Sequence, residues 1–261
     1  MITTKTDGPV TTLILNRPAK RNALTGAMIT GLRSGIAAAE ADENCRALVI
    51  TGAEGHFAAG RDLGDADAST PLRDVMAYDD AYTAVFELLR RSTKPSIAIV
   101  QGYAVAGGFT LAMGCDFVIA DRSARFGALE MRGGFPAAVN TAILSHLCGP
   151  RHAMELLLSA DMFPADTLFR MGLINELAAN VKELAEISKR RIDALVALDP
   201  IAVCLTKETG RTASTMPLAE ALVMAKQLNS LLMTSGKIDA AAKQFLKSQS
   251  SQNSDSAKIN L

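Results

Sequence analysis

The sequence predicts an α/β fold, in which strands alternate with helices, followed by a helical C-terminal extension. Short apolar runs bounded by Gly or Pro recur through the first half of the 261-residue chain, and such runs are typical of buried strands. Stretches with helical spacing of apolar residues separate these runs. From Pro136 onward helical patterns predominate. The length is enough for one large domain, or for one domain with a small appendage.

The first half of the chain contains the predicted strands, which are rich in Val, Ile, Leu and Ala. They cover 10–18, 47–52, 96–102 and 116–121. Between them, helical spacing predicts helices over 25–42, 71–95 and 106–115. Thr25 is the predicted N-terminal cap of the first helix, because its hydroxyl can accept from a free N–H. Residues 52–65 are Gly-rich and irregular, and they are predicted to form a loop.

The second half of the chain is predicted to be helical. Its apolar faces predict helices over 140–149, 151–160, 165–172, 181–198 and 217–233, with a weaker one over 238–248. The last residues are polar, and the tail 248–261 is predicted to be disordered.

Composition and charge exclude several classes of function. Lys plus Arg equals Asp plus Glu, at 27 each, and the chain has no Trp, so a nucleic-acid role has little support. No Cys-x-x-Cys occurs and there are three His, which argues against a metal site. Pro95, Gln101 and several glycines break the uncharged run 95–115, so we predict no membrane span. Without a signal peptide, a cytoplasmic location with reduced thiols is expected.

Two Gly-rich loops each follow a predicted buried strand and lead into a predicted helix start. They are HFAAGRDL at 56–63 and GYAVAGG at 102–108. Free N–H groups at such places can form an oxyanion hole, in which two donors stabilise a carbonyl oxygen that gains charge. Tight turns that need glycine are the alternative, and spacing alone leaves both open. Neither loop has a nucleotide-binding motif.

Five segments in a defined order carry a resemblance to a known family. They are LNRPAKRNALT, VITGAEGHFAAGRDL, KPSIAIVQGYAVAGGFTLAMGCDFVIAD, ARFGALEMRGGFP and FRMGLINEL. The sequence resembles the crotonase family, also called the enoyl-CoA hydratase/isomerase superfamily, from about residue 10 to residue 247. The resemblance implies a spiral of repeated β-β-α units over 1–197. It also implies C-terminal helices over 198–261 that form a homo-trimer or hexamer and cover the CoA.

The resemblance also implies the site residues. The ligand is an acyl-CoA thioester, with no metal and no cofactor beyond the CoA of the substrate. The oxyanion donors are the backbone N–H groups of Arg61 and Gly107, and the catalytic residue is Glu130. The residues expected to bind the substrate or its CoA are Lys20, Arg21, Ala23, Ala59, Asp62, Leu63, Gly108, Thr110 and Phe135. Helix 71–91, Phe109, Met131 and Phe135 are expected to line the acyl pocket, although they are equally typical of a core.

Thr110 decides the predicted reaction. Hydratases of the family hold one water with two glutamates, and Thr110 occupies the position of one of them. A hydroxyl does not exchange a proton near neutral pH as a carboxylate does. We therefore predict 3-enoyl-CoA to 2-enoyl-CoA isomerisation with Glu130 as the single base. A hydratase or hydratase-lyase that uses Glu130 and a Thr110-held water stays open, as does a non-catalytic acyl-CoA-binding homologue.

Overall fold

A computed structural model of the protein describes residues 1–62, 64 and 69–233. Its strands are β1 (Ile2–Asp7), β2 (Val10–Leu15), β3 (Ala47–Gly52), β4 (Ser96–Val100), β5 (Tyr103–Val105), β6 (Phe117–Asp121), β7 (Arg125–Gly127), β8 (Phe163–Pro164) and β9 (Glu176–Ala178). Its α-helices are α1 (Gly26–Ala41), α2 (Leu72–Arg91), α3 (Gly107–Met113), α4 (Ala138–Leu158), α5 (Ala165–Arg170), α6 (Val181–Val196), α7 (Pro200–Ala213) and α8 (Leu218–Met233). Short 3-10 helices cover Pro18–Lys20 and Leu129–Gly133.

The strands form two sheets. The larger has the order β1-β2-β3-β4-β6-β9, antiparallel between β1 and β2 and parallel elsewhere. The smaller has the order β5-β7-β8. Strands β4 and β6 belong to the larger sheet. Strand β5 follows β4 closely in the chain, and β7 follows β6, but both belong to the smaller sheet. Successive β-β-α units therefore contribute to two sheets.

The larger sheet is buried on both faces. In β3, Leu48 and Ile50 join the main apolar cluster, which includes residues of α1, α2, α3 and α4. The alternating residues Ala47 and Val49 join a second cluster, in which Leu184 and Ile187 of α6 pack on the opposite face. Because side chains alternate across a strand, burial on both faces explains why β3 reads as a continuous apolar run.

The predicted order of the main elements agrees with the structure, and several short elements were missed. The strands predicted at 10–18, 47–52, 96–102 and 116–121 correspond to β2, β3, β4 and β6. The cap is confirmed, since the Thr25 hydroxyl accepts from the N–H of Met28. The strands β1, β5, β7, β8 and β9 and the helix α7 were not predicted. Their local patterns are short or lack a clear apolar period, and tertiary pairing decides them.

One prediction about the second half was wrong. Helices are not the only elements there, because β8 pairs with β7 and β9 with β6. The two helices predicted at 140–149 and 151–160 correspond to the two halves of α4, which are separated by a kink at Gly149, with φ 72° and ψ 168°. Pro150 follows and has no N–H to donate, so a break at this point is expected.

The chain divides into two compact units, Met1–Leu205 and Thr206–Leu261. In its described part, the second unit consists of the last turns of α7 and the whole of α8. The predicted boundary at 197/198 stays a prediction. The helix predicted at 238–248 and the tail 248–261 lie outside the described residues. Within the described part of the chain, no helix has both the length and the apolar character to cross a membrane.

Candidate active site

The two Gly-rich loops lie side by side. The N–H of Ala58 donates to the Tyr103 carbonyl at 2.8 Å, and the N–H of Val105 donates to the Ala58 carbonyl at 2.9 Å. Gly60 has φ +90°, and a Cβ placed there would lie 2.8 Å from the Cβ of Ala106. Only glycine fits this combination of positive φ and close approach without strain. The local glycine content thus allows the two loops to meet.

This contact brings together the two predicted oxyanion donors. A Cβ placed on Gly60 would lie 3.4 Å from the Gly107 nitrogen, and one placed on Gly107 would lie 3.7 Å from the Arg61 nitrogen. Neither N–H has a hydrogen-bond acceptor among the described residues. Two neighbouring amide donors without internal acceptors are the geometry that an anionic oxygen needs.

Ala106, the residue before Gly107, has a strained backbone held by several hydrogen bonds. Its φ is 49° and its ψ is −121°, which is unusual for a residue with a Cβ. Its N–H donates to the Gly127 carbonyl at 2.7 Å. Its own carbonyl accepts from the Thr110 N–H and hydroxyl, each at 3.1 Å, and from the Asn140 amide at 3.2 Å. Together, these bonds fix the peptide that carries the Gly107 N–H.

Glu130 lies in the 3-10 helix that follows β7. Its Oε1 accepts from Asn140 Nδ2 at 2.9 Å. Its Oε2 is buried and has no hydrogen-bond partner among the described residues. Burial raises the pKa of Glu130 above its usual range, although the hydrogen bond from Asn140 acts in the opposite direction. A carboxyl with a raised pKa and one free oxygen is suited to take and return a proton.

Tyr82 of α2 is a further polar residue at this end of α3. Its ring is buried, and its hydroxyl donates to the Gly107 carbonyl at 2.6 Å. Burial raises the pKa of Tyr82, although a hydrogen bond with Thr110 acts in the opposite direction, and the charge of Glu130 raises it further. Tyr82, Thr110 and Glu130 therefore lie around the same end of α3, and Tyr82 stays neutral there.

The side chain of Arg61 lies against α2. Its guanidinium lies 3.7 Å from the ring centre of Tyr78, and its Nη1 lies 3.2 Å from an Asp79 carboxylate oxygen. The Tyr78 hydroxyl donates to the Leu24 carbonyl at 3.3 Å. Helix α2 thus contacts both predicted donors, Arg61 through Tyr78 and Gly107 through Tyr82.

The segment after β2 runs beside the first Gly-rich loop. Hydrogen bonds join the Ala59 N–H to the Arg21 carbonyl at 3.0 Å and the Asp62 N–H to the Leu24 carbonyl at 2.9 Å. Asp62 also pairs with Arg17 at 2.5 Å. The N–H of Gly64 and the Arg17 guanidinium hold the pKa of the Asp62 carboxyl below its usual range. This pairing fixes Asp62 as an anion within the loop.

Comparisons with known proteins give the family. The profile of the enoyl-CoA hydratase/isomerase family matches residues 5–255. This chain belongs to that family. It is 33% identical to the 2,3-dehydroadipyl-CoA hydratase of Escherichia coli, over 84% of this chain and 85% of the relative. It is also 33% identical to the short-chain-enoyl-CoA hydratase of Clostridium acetobutylicum, over 77% of each chain.

Solved structures of the same family confirm the fold. An enoyl-CoA hydratase from Mycobacterium smegmatis superposes with a TM-score of 0.85 at 28% identity, over 90% of this chain and 91% of that chain. One from Polaromonas sp. JS666 also gives 0.85 at 28% identity, over 92% and 95%. The predicted crotonase-type α/β fold is therefore confirmed, and the chain is an enoyl-CoA hydratase/isomerase family enzyme.

The structure brings most of the predicted site residues of this family member into two groups. Arg61, Gly107, Gly108, Thr110 and Glu130 lie around the N-terminal end of α3. The CoA-binding candidates Arg21, Ala23, Ala59 and Asp62 lie along the paired loops. Lys20 is exposed at the end of a 3-10 helix, and Leu63 lies outside the described residues. The binding roles of these residues stay predictions.

The residues predicted to line the acyl pocket have different surroundings. Phe109 is fully buried and packs edge-on against Phe126, as a core residue does. Phe135 is 62% exposed and Met131 is 42% exposed, so both are available to a ligand. His56 stacks on Tyr103, and its Nδ1 accepts the Tyr103 N–H at 3.3 Å.

Three polar residues of this region were not predicted from the sequence. Asn140 donates to Glu130, and Tyr82 donates to the Gly107 carbonyl, as described above. Asn22 is buried, and its amide donates to the Ala53 and His56 carbonyls at 2.9 and 2.6 Å. Asn22 follows Arg21 in the segment LNRPAKRNALT. Its place in a loop that contains a proline is the sequence feature that could have identified it. Tyr82 and Asn140 fall inside helical patterns and carried no such signal.

Proposed function

We propose that the protein isomerises 3-enoyl-CoA thioesters to 2-enoyl-CoA thioesters. The observation that supports this proposal is the Glu130 carboxyl, whose buried Oε2 has no hydrogen-bond partner among the described residues, at the end of α3 where the N–H groups of Arg61 and Gly107 have no acceptor. Thr110 cannot act as the second acid or base, and its hydroxyl donates to the Ala106 carbonyl within its own helix. One base and one oxyanion hole are what a proton shift along the acyl chain requires.

In the proposed mechanism, the N–H groups of Arg61 and Gly107 donate to the thioester oxygen. The Glu130 carboxylate removes a proton from C2, and the electrons of that C–H bond delocalise onto the thioester oxygen as a dienolate. Glu130 then returns the proton to C4, so that the C3–C4 double bond is replaced by a C2–C3 double bond. The hole stabilises the charge, and loss of one such donor typically lowers the rate about 100- to 1,000-fold. No metal or further cofactor is needed for these steps.

The second candidate is hydration of a 2-enoyl-CoA. Two relatives over most of the chain are named as hydratases, which is the observation that favours it. In this alternative, Glu130 activates a water that Thr110 and the neighbouring Tyr82 help to hold. A non-catalytic acyl-CoA-binding role is the third possibility. It is less consistent with a carboxyl placed at the hole with its pKa raised.

Purified protein incubated separately with a 3-enoyl-CoA and a 2-enoyl-CoA distinguishes these functions. We expect 2-enoyl-CoA from the first substrate and no 3-hydroxyacyl-CoA from the second, as measured by chromatography with mass detection. Rapid formation of 3-hydroxyacyl-CoA would make hydration the function instead. Binding without turnover of either substrate would indicate the non-catalytic role.

Glu130→Gln tests the base in either reaction. We expect kcat to fall about 100- to 10,000-fold, the usual contribution of a positioned acid or base. Glu186→Gln, the same change at an exposed position of α6, is the control and should retain activity. Full activity of Glu130→Gln would exclude Glu130 as the base. We also propose a cytoplasmic location, where protein thiols are kept reduced.

A further inference from the structure

Asn140 is a buried polar residue that the proposed chemistry has not used. It lies in the first turn of α4, with 1% of its surface exposed. Its Nδ2 donates to Glu130 Oε1 at 2.9 Å and to the Ala106 carbonyl at 3.2 Å. A buried amide side chain costs free energy unless its hydrogen bonds are made, so its presence against the base calls for a reason.

The hydrogen bonds fix which way the amide faces. The carbonyl of Ala106 can only accept, so the group that faces it must be the NH2 of Asn140 and not its oxygen. The same nitrogen faces Glu130 Oε1. The amide orientation therefore follows from the backbone contact and does not depend on the protonation state of Glu130.

Two oxygens of this pair remain without partners. Glu130 Oε2 and Asn140 Oδ1 are both buried, and neither has a hydrogen-bond partner among the described residues. When Glu130 is ionised, both are acceptors. When a proton binds Oε2, that oxygen becomes a donor toward the substrate, while Nδ2 of Asn140 can still donate to Oε1.

We propose that Asn140 is a positioning residue for Glu130 in both of its protonation states. Its N–H group donates to Oε1 when the carboxylate removes the proton, and it keeps this bond when Oε2 carries the proton that is returned. The inference rests on the proposed function, since isomerisation needs one carboxyl to act as base and then as acid in the same turnover. The second bond of Nδ2 also links this carboxyl to Ala106, the residue before the oxyanion donor Gly107.

Asn140 is the side chain that donates a hydrogen bond to the Glu130 carboxyl, whereas the titratable and charged groups nearby do not pair with it. Tyr82 faces it from α2, and burial keeps the pKa of this phenol above its usual range, so it stays neutral. Arg132, in the same 3-10 helix as Glu130, pairs with Asp161 at 3.1 Å. The causes that lower the pKa of Glu130 are hydrogen bonds with its own backbone and with Asn140, against the larger effect of burial.

The test measures the titration of Glu130 in substrate-free protein by pH-dependent infrared difference spectroscopy. The Glu130 carboxyl band is assigned as the one that Glu130→Gln lacks. Asn140→Leu removes both the donor and the acceptor. We expect the proton affinity of Glu130 to rise about tenfold or more, which moves the titration midpoint to higher pH. The reason is that the lost hydrogen bond to the carboxylate is stronger than the lost hydrogen bond to the carboxylic acid. Isomerisation should slow by up to about 100-fold, even above the new midpoint.

Asn140→Asp is the second variant, because it keeps the shape of the side chain if the leucine variant fails to fold. It replaces the donor with a second carboxyl, so the midpoint should again move to higher pH. Thr141→Ala, which removes a hydroxyl bonded within α4 to the Ala137 carbonyl, is the control and should leave the midpoint unchanged. An unchanged midpoint in the folded Asn140 variants overturns the proposal.

The infrared titration does not depend on turnover, so the two proposals can fail separately. If the wild-type protein hydrates or only binds its substrate, the proposed isomerisation fails while the shifted band still supports the role of Asn140. If isomerisation is found and the band does not shift, the proposed function is supported and the role of Asn140 is excluded. A shifted band together with slower isomerisation supports both.

Discussion

Glu130 has a protonation equilibrium that differs between the folded and unfolded chain. Burial raises its pKa above the ordinary value of 4.5 in the folded protein, and the unfolded chain has no such burial. Between these two pKa values the folded state binds more protons than the unfolded state. The free energy of unfolding therefore decreases as the pH rises through this interval. Glu130 thus stabilises the fold less at the pH where it is ionised, which is the form that the proposed mechanism uses as the base.

Glu130→Gln should remove this dependence. We expect the variant to gain stability relative to the wild type as the pH rises above 4.5, with the gain complete above the folded pKa. Urea denaturation of both proteins at a series of pH values, at one protein concentration, measures it. Glu186→Gln is the matched control, because it makes the same change on the surface of α6. A constant stability difference between Glu130→Gln and wild type across the series would contradict the expectation.

For single residues, the sequence predicted which ones form the candidate site, and the structure showed which other residues contact them. Glu130, Gly107 and Arg61 could be named because they lie in motifs with a fixed order. Asn140 could not, since it lies ten residues after Glu130 inside an apolar helical pattern. Its role depends on a contact between α4 and the 3-10 helix, and no local pattern encodes a contact of this kind.

Helix α3 begins where the two Gly-rich loops meet, and Gly108 sets how closely they pack. A Cβ on Gly108 would lie 2.3 Å from the Ala58 carbonyl oxygen and 2.8 Å from the Ala58 Cβ. Ala58 is buried and belongs to the loop that leads to Arg61. The space at Gly108 therefore controls the separation of the two predicted donors.

Gly108→Ala should lower both stability and activity. We expect a loss of about 1–3 kcal/mol in the free energy of unfolding, typical of overpacking, and a lower kcat, because the loop with Arg61 must shift. Denaturation and the enoyl-CoA assay measure the two effects. Gly210→Ala is the control, since nothing lies within 4 Å of a Cβ there. In helix α7 it should gain up to about 1 kcal/mol. Equal effects of the two substitutions would contradict this picture.

Helix α2 shows how one element serves both halves of the candidate hole. Tyr78 and Tyr82 lie one turn apart and so share a face. The first stacks under the Arg61 guanidinium, and the second donates to the Gly107 carbonyl. The helical period of α2 was readable from the sequence. Its two tyrosines counted there as ordinary apolar-face residues, because their partners lie in distant loops.

The assembly of the whole molecule remains a prediction from the family resemblance. In the second compact unit, Leu218 and Leu222 of α8 are 74% and 60% exposed. They are four residues apart and share one face of the helix. Exposed apolar side chains of this kind favour burial against another chain.

We expect light scattering to give a mass three or six times that of the 27.5 kDa chain. Leu218→Lys with Leu222→Lys should lower this mass, because charged residues oppose burial of that face. Gln227→Lys, on the opposite side of α8, is the control. A monomeric wild-type protein would contradict the predicted trimer or hexamer, and an unchanged mass in the double variant would exclude this face.

The sequence by itself determined the fold class, the order of the main strands and helices, and the family, because apolar periodicity and ordered motifs are local properties of the chain. It also determined that a threonine, Thr110, lies three residues after Gly107, the predicted oxyanion glycine. Only the tertiary structure decided the short strands β5, β7, β8 and β9, the bonds that hold Ala106, and the Asn140 contact with Glu130. These features depend on pairing between segments far apart in the chain, and their free energy exists only when those segments are packed together.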